Sequence, residues 1–441
     1  MHRCMHRCMH ETKRKCSSLP FLYELRASPA PANMHCMRSS PADELIPDTG
    51  ERHVPALHRR ALYKHVYTCM LEHKPVCVDR SVGMAFSRGA WPAITAILLV
   101  RGLFAAFPAA SVDMGDMLMM DRFRQWQATH NRTYLSTEER LRRFQVYRDN
   151  VEYIEATNRR GDLTYELGEN EFADLTQEEF LARYASSYDA AGDDTGITLP
   201  VGGGDAELWS SGGDDGSSLE APPPSWDWRS KGAVTPVKSQ GAGCASCWAF
   251  VTVATIETLN WIRTGQLVPL SEQQLVDCDQ YDGGCNRGSY HRAYNWIVEN
   301  GGLTTAADYP YTAVRGACNR AKSAHHTVKI LGGGVIPPRN EPEMQLAVSG
   351  QPIGVAIEVG SGMQFYRSGV YSGPCGTNLA HAVTIVGYGI DAATGAKYWL
   401  VKNSWGQTWG ESGYIRMRRD VGGPGLCGIA LDVVYPKMAR A

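Results

Sequence analysis

The 441-residue sequence has almost no net charge, 44 Lys and Arg against 46 Asp and Glu, which argues against nucleic acid or a polybasic membrane contact as a partner of the whole chain. It has no cysteine between Cys77 and Cys244, more than a third of its length. It also lacks an unbroken apolar run suited to a stable transmembrane helix, because Arg101 interrupts the segment from Trp91 to Ala110. No second Cys-x-x-Cys accompanies Cys244-Ala-Ser-Cys247, which removes the pairing a structural zinc site needs. What is present is ample core material. Hydrophobic residues make up 43% and charged residues 20%, excluding a disordered or collagen-like chain, and the length suggests two or three units.

Charge and cysteine are unevenly distributed. Residues 1–83 carry a net charge of +5, residues 84–221 of −11 and residues 222–441 of +4. Six cysteines precede residue 78, and the other seven are Cys244, Cys247, Cys278, Cys285, Cys318, Cys375 and Cys427. An odd set in an oxidising compartment leaves one thiol over after three disulfides. Residues 1–83 open on a repeated Met-His-Arg-Cys, show no helical or strand periodicity, and read as an unstructured extension. A His/Cys metal-binding tract is the alternative, without paired zinc spacing to support it. A second start at Met84 leads into the apolar run, which closes on Ala109, Ala110 and Ser111. Residues 84–110 therefore read as a signal peptide, with residues 1–83 an over-extension of the coding region.

Residues 111–184 form the next unit. Phe144, Tyr147, Val151 and Ile154 recur at three- and four-residue intervals, and two amphipathic helices are expected between Asp121 and Asn158. Residues 185–221 are dense in Gly, Asp and Ser and read as a flexible linker open to proteolytic nicking. Residues 222–441, rich in Trp, Tyr and Gly, suffice for a substantial folded unit.

Chemistry concentrates there. After Cys247, the apolar residues Trp248, Val251, Thr255, Leu259 and Ile262 follow a helical interval that stops at Gly265. A thiol opening a helix meets the positive pole and unpaired backbone N–H groups, which favour thiolate. A buried structural Cys, or a redox or zinc pair with Cys244, are the alternatives. A thiolate nucleophile needs an imidazole and a group to orient it. His381 stands at the head of a strand-like run 134 residues after Cys247, and Asn403 lies 156 residues after it in Lys402-Asn-Ser-Trp405.

With these motifs, residues 222–441 resemble the papain family of cysteine proteases. The resemblance implies an α+β, two-lobed fold in which a helical lobe faces a β-barrel-like lobe across the catalytic cleft. It implies Cys247 as nucleophile, His381 as general base and acid, Asn403 holding the imidazole and Trp405 shielding that contact. Gln240 would donate to the oxyanion with the N–H of Cys247. Disulfides Cys244–Cys285, Cys278–Cys318 and Cys375–Cys427 follow from the family. Gly288, Ser289, Tyr290, Ala356, Leu379, Ala382 and Asp432 would line substrate subsites. No cofactor or metal is implied. Protein and peptide substrates are, with the mature form a monomer free of membrane, delivered through the secretory pathway to a vacuole, lysosome or the exterior.

Glu139, Arg143, Tyr147, Asn150, Ile154 and Asn158 are spaced to lie along one side of a helix. They resemble an interspersed motif of the inhibitory propeptides of cathepsin-L-like proteases, with Tyr147 in place of Phe. Gly168, Asn170, Phe172 and Asp174 resemble the second motif of such propeptides. A zymogen is implied, with the propeptide as intramolecular inhibitor. The opposite charges of segments 84–221 and 222–441 suggest an attraction that weakens as carboxylates protonate near a pKa of about 4.

Departures from the family are specific. One extra residue separates Gln240 from Cys244, so the loop must bulge, with Gly241 or Gly243 as the site, or Gln240 misses the oxyanion. Ala245 and Arg287 stand where the family has Gly. Asp432 falls near the floor of the pocket for the second residue before the scissile bond. Because an unpaired buried carboxylate is costly, it is expected to turn toward water and leave the pocket apolar; the alternative is that it receives an arginine. A catalytically silent peptide-binding relative is the rival reading, motivated by the altered Gln240 loop.

Overall fold

The computed structural model describes residues 114–185, 188–189 and 221–439. The expected extension (1–83), the signal-like segment (84–110) and most of the linker lie outside the described residues. In chain order come helices α1 (Met114–Thr129) and α2 (Thr137–Asn158), strand β1 (Tyr165–Leu167) and helix α3 (Gln177–Tyr184). Beyond the linker follow β2 (Trp226–Asp227), α4 (Cys247–Thr264), α5 (Glu272–Cys278), α6 (Tyr290–Asn300) and α7 (Arg320–Ser323). The remainder is β3 (Gly332–Val335), α8 (Glu341–Gly350), β4 (Ile353–Ile357), β5 (Tyr366–Tyr371), β6 (His381–Ile390), β7 (Lys397–Lys402), β8 (Tyr414–Arg418) and β9 (Val433–Lys437).

Local chemistry sets these boundaries. Ser136 caps α2 by accepting from the N–H of Glu139, Thr176 and Glu179 form a reciprocal capping box on α3, and Ser271 accepts from Gln274 N at the start of α5. Gly265 and Gly301 close α4 and α6 in the left-handed conformation, where a side chain would be strained.

The spaced residues of α2 hold the loop after β1. Buried Arg143 donates to Glu139, to Glu179 and to the carbonyl of Asp174 at 2.9 Å. Asn150 donates to the carbonyls of Ala173 and Leu175 at 2.8 and 2.9 Å, and Asn158 exchanges two hydrogen bonds with the backbone of Leu167. Tyr147 and Ile154 are buried, and the Tyr147 hydroxyl donates to Glu169. The hydroxyl that departs from the family thus has a carboxylate partner.

That loop is fastened to the rest of the chain by backbone. β1 pairs antiparallel with β5, Tyr165 opposite Gly369, so the N-terminal unit extends the sheet by one strand. Gly168 N donates to Phe365 O at 2.8 Å, and a Cβ at Gly168 would lie 2.8 Å from Arg367. Asn170 donates to Gln364 O at 2.7 Å and accepts from Phe172 N, while Asp174 accepts from Tyr134. Buried Phe172 meets Phe180, which packs edge-on against Trp405 at 4.9 Å.

The sheet order is β1-β5-β8-β7-β6-β4-β9-β3, with β2 added to β6. Its ends do not pair with one another among the described strands, so the sheet of the β-barrel-like lobe is not closed into a barrel. Helix α4 packs on β6, β4 and β9 and beside α6. A core of α4, α5 and α6 lies on one side of the cleft, and a core rich in Trp and Tyr lies on the other. Disulfides join Cys244–Cys285, Cys278–Cys318 and Cys375–Cys427, leaving Cys247 outside any disulfide among the described residues.

Candidate active site

Cys247 is the first residue of α4 and is fully buried. Its Sγ accepts from the backbone N–H of Ala382 at 3.4 Å, which puts the sulfur beside His381, the first residue of β6. Helix start and strand start therefore meet at the cleft. Asn403 Oδ1 accepts from Ser404 N and from His381 Nε2, both at 2.8 Å. The first of these contacts fixes the amide oxygen toward the ring, so Nε2 carries a proton and the neutral ring keeps its lone pair on Nδ1. Nδ1 is buried with no hydrogen-bond partner among the described residues. Trp405 stacks on the imidazole, centroids 4.7 Å apart, and covers the contact with Asn403. Burial pushes the His381 pKa down to about 4, against the opposing hydrogen bond that the ring donates to Asn403, so the ring is neutral near pH 7 while the site is covered.

Gln240 is buried within reach of this site. Gly241 takes a φ of +73°, the bulge that absorbs the extra residue. Ser404 Oγ donates to Gln240 Oε1 at 2.7 Å, leaving the amide nitrogen to donate, among other contacts, to Cys244 O at 3.5 Å. Tyr311 donates to Gln240 O at 2.8 Å and meets Ser246 Oγ at 2.7 Å, tying the loop to the cap of α4. Ser404 and Tyr311 escape a reading by motif, because their role depends on contacts 164 and 71 residues away.

The N-terminal unit occupies the cleft. The carbonyl of Tyr184 accepts from Gln240 Nε2 at 3.4 Å and from Trp405 Nε1 at 3.2 Å. Further on, Tyr188 bridges Gly288 in parallel, its N–H donates to Ala380 O at 3.2 Å, and Asp189 N donates to Gly288 O at 3.1 Å. Gly288 has no room for a side chain, since a Cβ would lie 2.4 Å from the Trp248 ring. Arg287 overlooks this edge, exposed and 3.9 Å from Asp189.

Ala356, Ala382, Ser289 and Tyr290 are buried around Tyr188, with Leu379 half-buried beside them. Asp432 differs from the expectation. Its side chain is 15% exposed and points into the pocket, where Oδ2 accepts from the Tyr188 hydroxyl and Oδ1 meets His291 Nε2 at 2.7 Å. The carboxylate is turned inward because it is paired there, which removes the cost that argued for turning it to water.

Beneath Asn403 lies a buried ionic cluster. Lys238 bridges Glu257 at 3.2 Å and Glu272 at 2.7 Å, and Lys402 donates to Thr235 at 2.9 Å. Burial lowers the Lys402 pKa to about 8. The cluster ties α4 and α5 to the end of β7, from which Asn403 projects.

Comparison with known proteins agrees with this geometry. Residues 222–437 match the family described as papain family cysteine protease, and residues 123–180 match the cathepsin propeptide inhibitor domain (I29). Fruit bromelain of Ananas comosus is 43% identical over 342 residues, covering 77% of this chain and 93% of the relative. Cysteine endopeptidase RepA of Oryza sativa subsp. japonica is 49% identical over 308 residues, covering 69% and 79%. A recombinant stem bromelain precursor superimposes with a TM-score of 0.64 at 43% identity, over 73% of this chain and 99% of that one. The proform of the ragweed pollen cysteine protease Amb a 11 does so with a TM-score of 0.65 at 41% identity, over 73% and 94%. The chain belongs to the papain family of cysteine proteases and is a cysteine endopeptidase made as a zymogen with an inhibitory propeptide.

Proposed function

We propose that Cys247, His381, Asn403 and Gln240 carry out peptide-bond hydrolysis. Cys247 Sγ attacks the scissile carbonyl carbon as its proton passes to His381 Nδ1. The oxyanion is received by Gln240 Nε2 and the N–H of Cys247. The C–N bond breaks as His381 returns the proton to the amine, leaving a thioester. Water, deprotonated by His381, then releases the acid and regenerates the thiol. Asn403 fixes the proton on Nε2 throughout, and Trp405 keeps water from that bond. The observation that carries this reading is the shared Asn403 oxygen at 2.8 Å from the imidazole, beside a sulfur bound to the next residue's N–H.

In the precursor the Tyr184 carbonyl lies against Gln240, which supports a backbone that takes one oxyanion donor without offering a bond to cut. The reading extends to a signal at residues 84–110, maturation within residues 185–221, and a monomer sent through the secretory pathway to a vacuole, lysosome or the exterior. Among the described residues no helix is long and apolar enough to cross a membrane. Alkylation of the activated protein by a peptidyl epoxide tests the catalytic assignment: one equivalent on Cys247, absent in Cys247→Ala, is expected. Hydrolysis that survives Cys247→Ala would refute it and favour another nucleophile.

A further inference from the structure

The pocket around Asp432 holds a tyrosine. Tyr188 is buried, its ring lies against Tyr290 at a centroid distance of 4.7 Å, and its hydroxyl meets Asp432 Oδ2. Its own N–H is held by Ala380 O and that of Asp189 by Gly288 O, so its side chain is directed into the pocket by paired backbone on either wall. The other carboxylate oxygen, Oδ1, is held by His291 Nε2 at 2.7 Å. The Tyr290 hydroxyl donates to the Asp432 carbonyl at 3.1 Å, fixing the residue from below.

This arrangement decides between two kinds of guest. A guanidinium binds carboxylate best as a fork that uses both oxygens, and here His291 has taken one. The remaining carboxylate oxygen, beyond the Tyr290 ring that lies against Tyr188, fits one O–H on a planar ring. A phenyl ring would fill the same space without supplying the O–H that Oδ2 accepts from Tyr188, the situation in which a site rejects an analogue that lacks the hydroxyl. Burial first, then the Asp432 charge, push the Tyr188 phenol well above its ordinary pKa, so it stays a donor.

Resting on the catalytic reading above, we infer that Asp432, positioned by His291, makes this a tyrosine-selective pocket, so that the mature enzyme prefers peptides with Tyr over Phe, Leu or Arg at the second position before the cleaved bond. The propeptide is held by the same recognition, with Tyr188 as its pocket residue.

Two measurements test this. In activated enzyme counted by epoxide titration, kcat/KM is compared for peptides differing only in Tyr, Phe, Leu or Arg at that position. The expected Tyr-to-Phe ratio is about 10 or more, the size of a hydrogen bond to a charged group, falling to near 1 in Asp432→Ala and reduced in His291→Ala. A ratio at or below 1, a ratio that survives Asp432→Ala, or Arg exceeding Tyr would overturn the inference. In the full-length precursor bearing Cys247→Ala, hydrogen exchange at the amides of Tyr188 and Asp189 is compared among wild-type pocket, Tyr188→Phe, Asp432→Ala and the double variant. Each single change is expected to speed exchange about tenfold, and the double no further. Unaltered exchange in Tyr188→Phe would also overturn it. Loss of epoxide labelling on Cys247 sinks the catalytic reading instead, while the exchange measurement still decides what the pocket recognises.

Discussion

Removing Arg143 should loosen the propeptide while leaving the catalytic residues untouched. Its guanidinium, 8% exposed, donates to Glu179, to Glu139 and to the Asp174 carbonyl. It thereby joins α2 to the cap of α3 and to the loop that precedes it. The bond to the neutral carbonyl is worth about 1 kcal/mol, and the pair with partly exposed Glu179 about 1.5 kcal/mol after allowance for solvent screening. The surface contact with Glu139 is left out of the sum. Arg143→Ala is then expected to cost about 2–3 kcal/mol, raising the fraction of open propeptide by roughly 30- to 150-fold. The pH sense follows from Glu179. Burial raises its pKa, but hydrogen bonds from Arg143 and Thr176 outweigh this and hold it below the ordinary 4.5. A depressed carboxylate pKa gives stability that is full above about pH 4.5 and lost as the pH falls through the folded value. Acid therefore opens the propeptide from within, and Arg143→Ala should weaken that dependence. The assay is hydrogen exchange across α2 and α3 in the Cys247→Ala precursor at about pH 7 and pH 4. Protection at pH 7 equal to that of the parent, or an unchanged pH dependence, would refute the reasoning.

Further outcomes follow from the same geometry. Gly288→Ala forces a methyl against the Trp248 ring, which is fixed by its bond to Gly284 O, and should lower stability by about 1–3 kcal/mol in thermal unfolding and raise KM for peptide substrates. The bridge Cys244–Cys285 closes a loop of sequence separation 41; replacing both cysteines by Ser should cost about 4 kcal/mol in denaturant unfolding. Asn403→Ala frees the imidazole to turn and should lower kcat/KM about 10- to 100-fold, with Asn403→Asp recovering part of it.

How far the sequence was legible depended on how local each signal was. Cys247 at a helix start, His381 at a strand start and the α2 stripe from Glu139 to Asn158 are written in short, periodic patterns, and the structure brings each to its expected element. Asp432 was not legible in this way. Its inward turn depends on Tyr188, 244 residues away, and on His291, 141 residues away, and the expectation weighed only the cost of an unpaired charge. Net charge was a coarse guide as well. Several of the propeptide's carboxylates are paired with its own arginines, as in Glu169 with Arg122 and Glu179 with Arg143. Ion pairs crossing to the peptidase include Asp189 with Arg292 and Glu166 with Arg367. The extra residue before Cys244 left Gly241 and Gly243 as candidate sites for a bulge, and of these Gly241 takes the left-handed φ of +73°.

The central claim is that Cys247 and His381 share a proton once the propeptide has left. In the activated enzyme, the rate of Cys247 alkylation by iodoacetamide is followed from about pH 3 to pH 9. A thiolate sustained by the imidazole predicts rapid labelling that persists well into the acid range, and a shift of the profile toward the ordinary thiol pKa of about 8.5 in His381→Ala. A wild-type profile that already titrates near 8.5, indifferent to His381, would contradict the account.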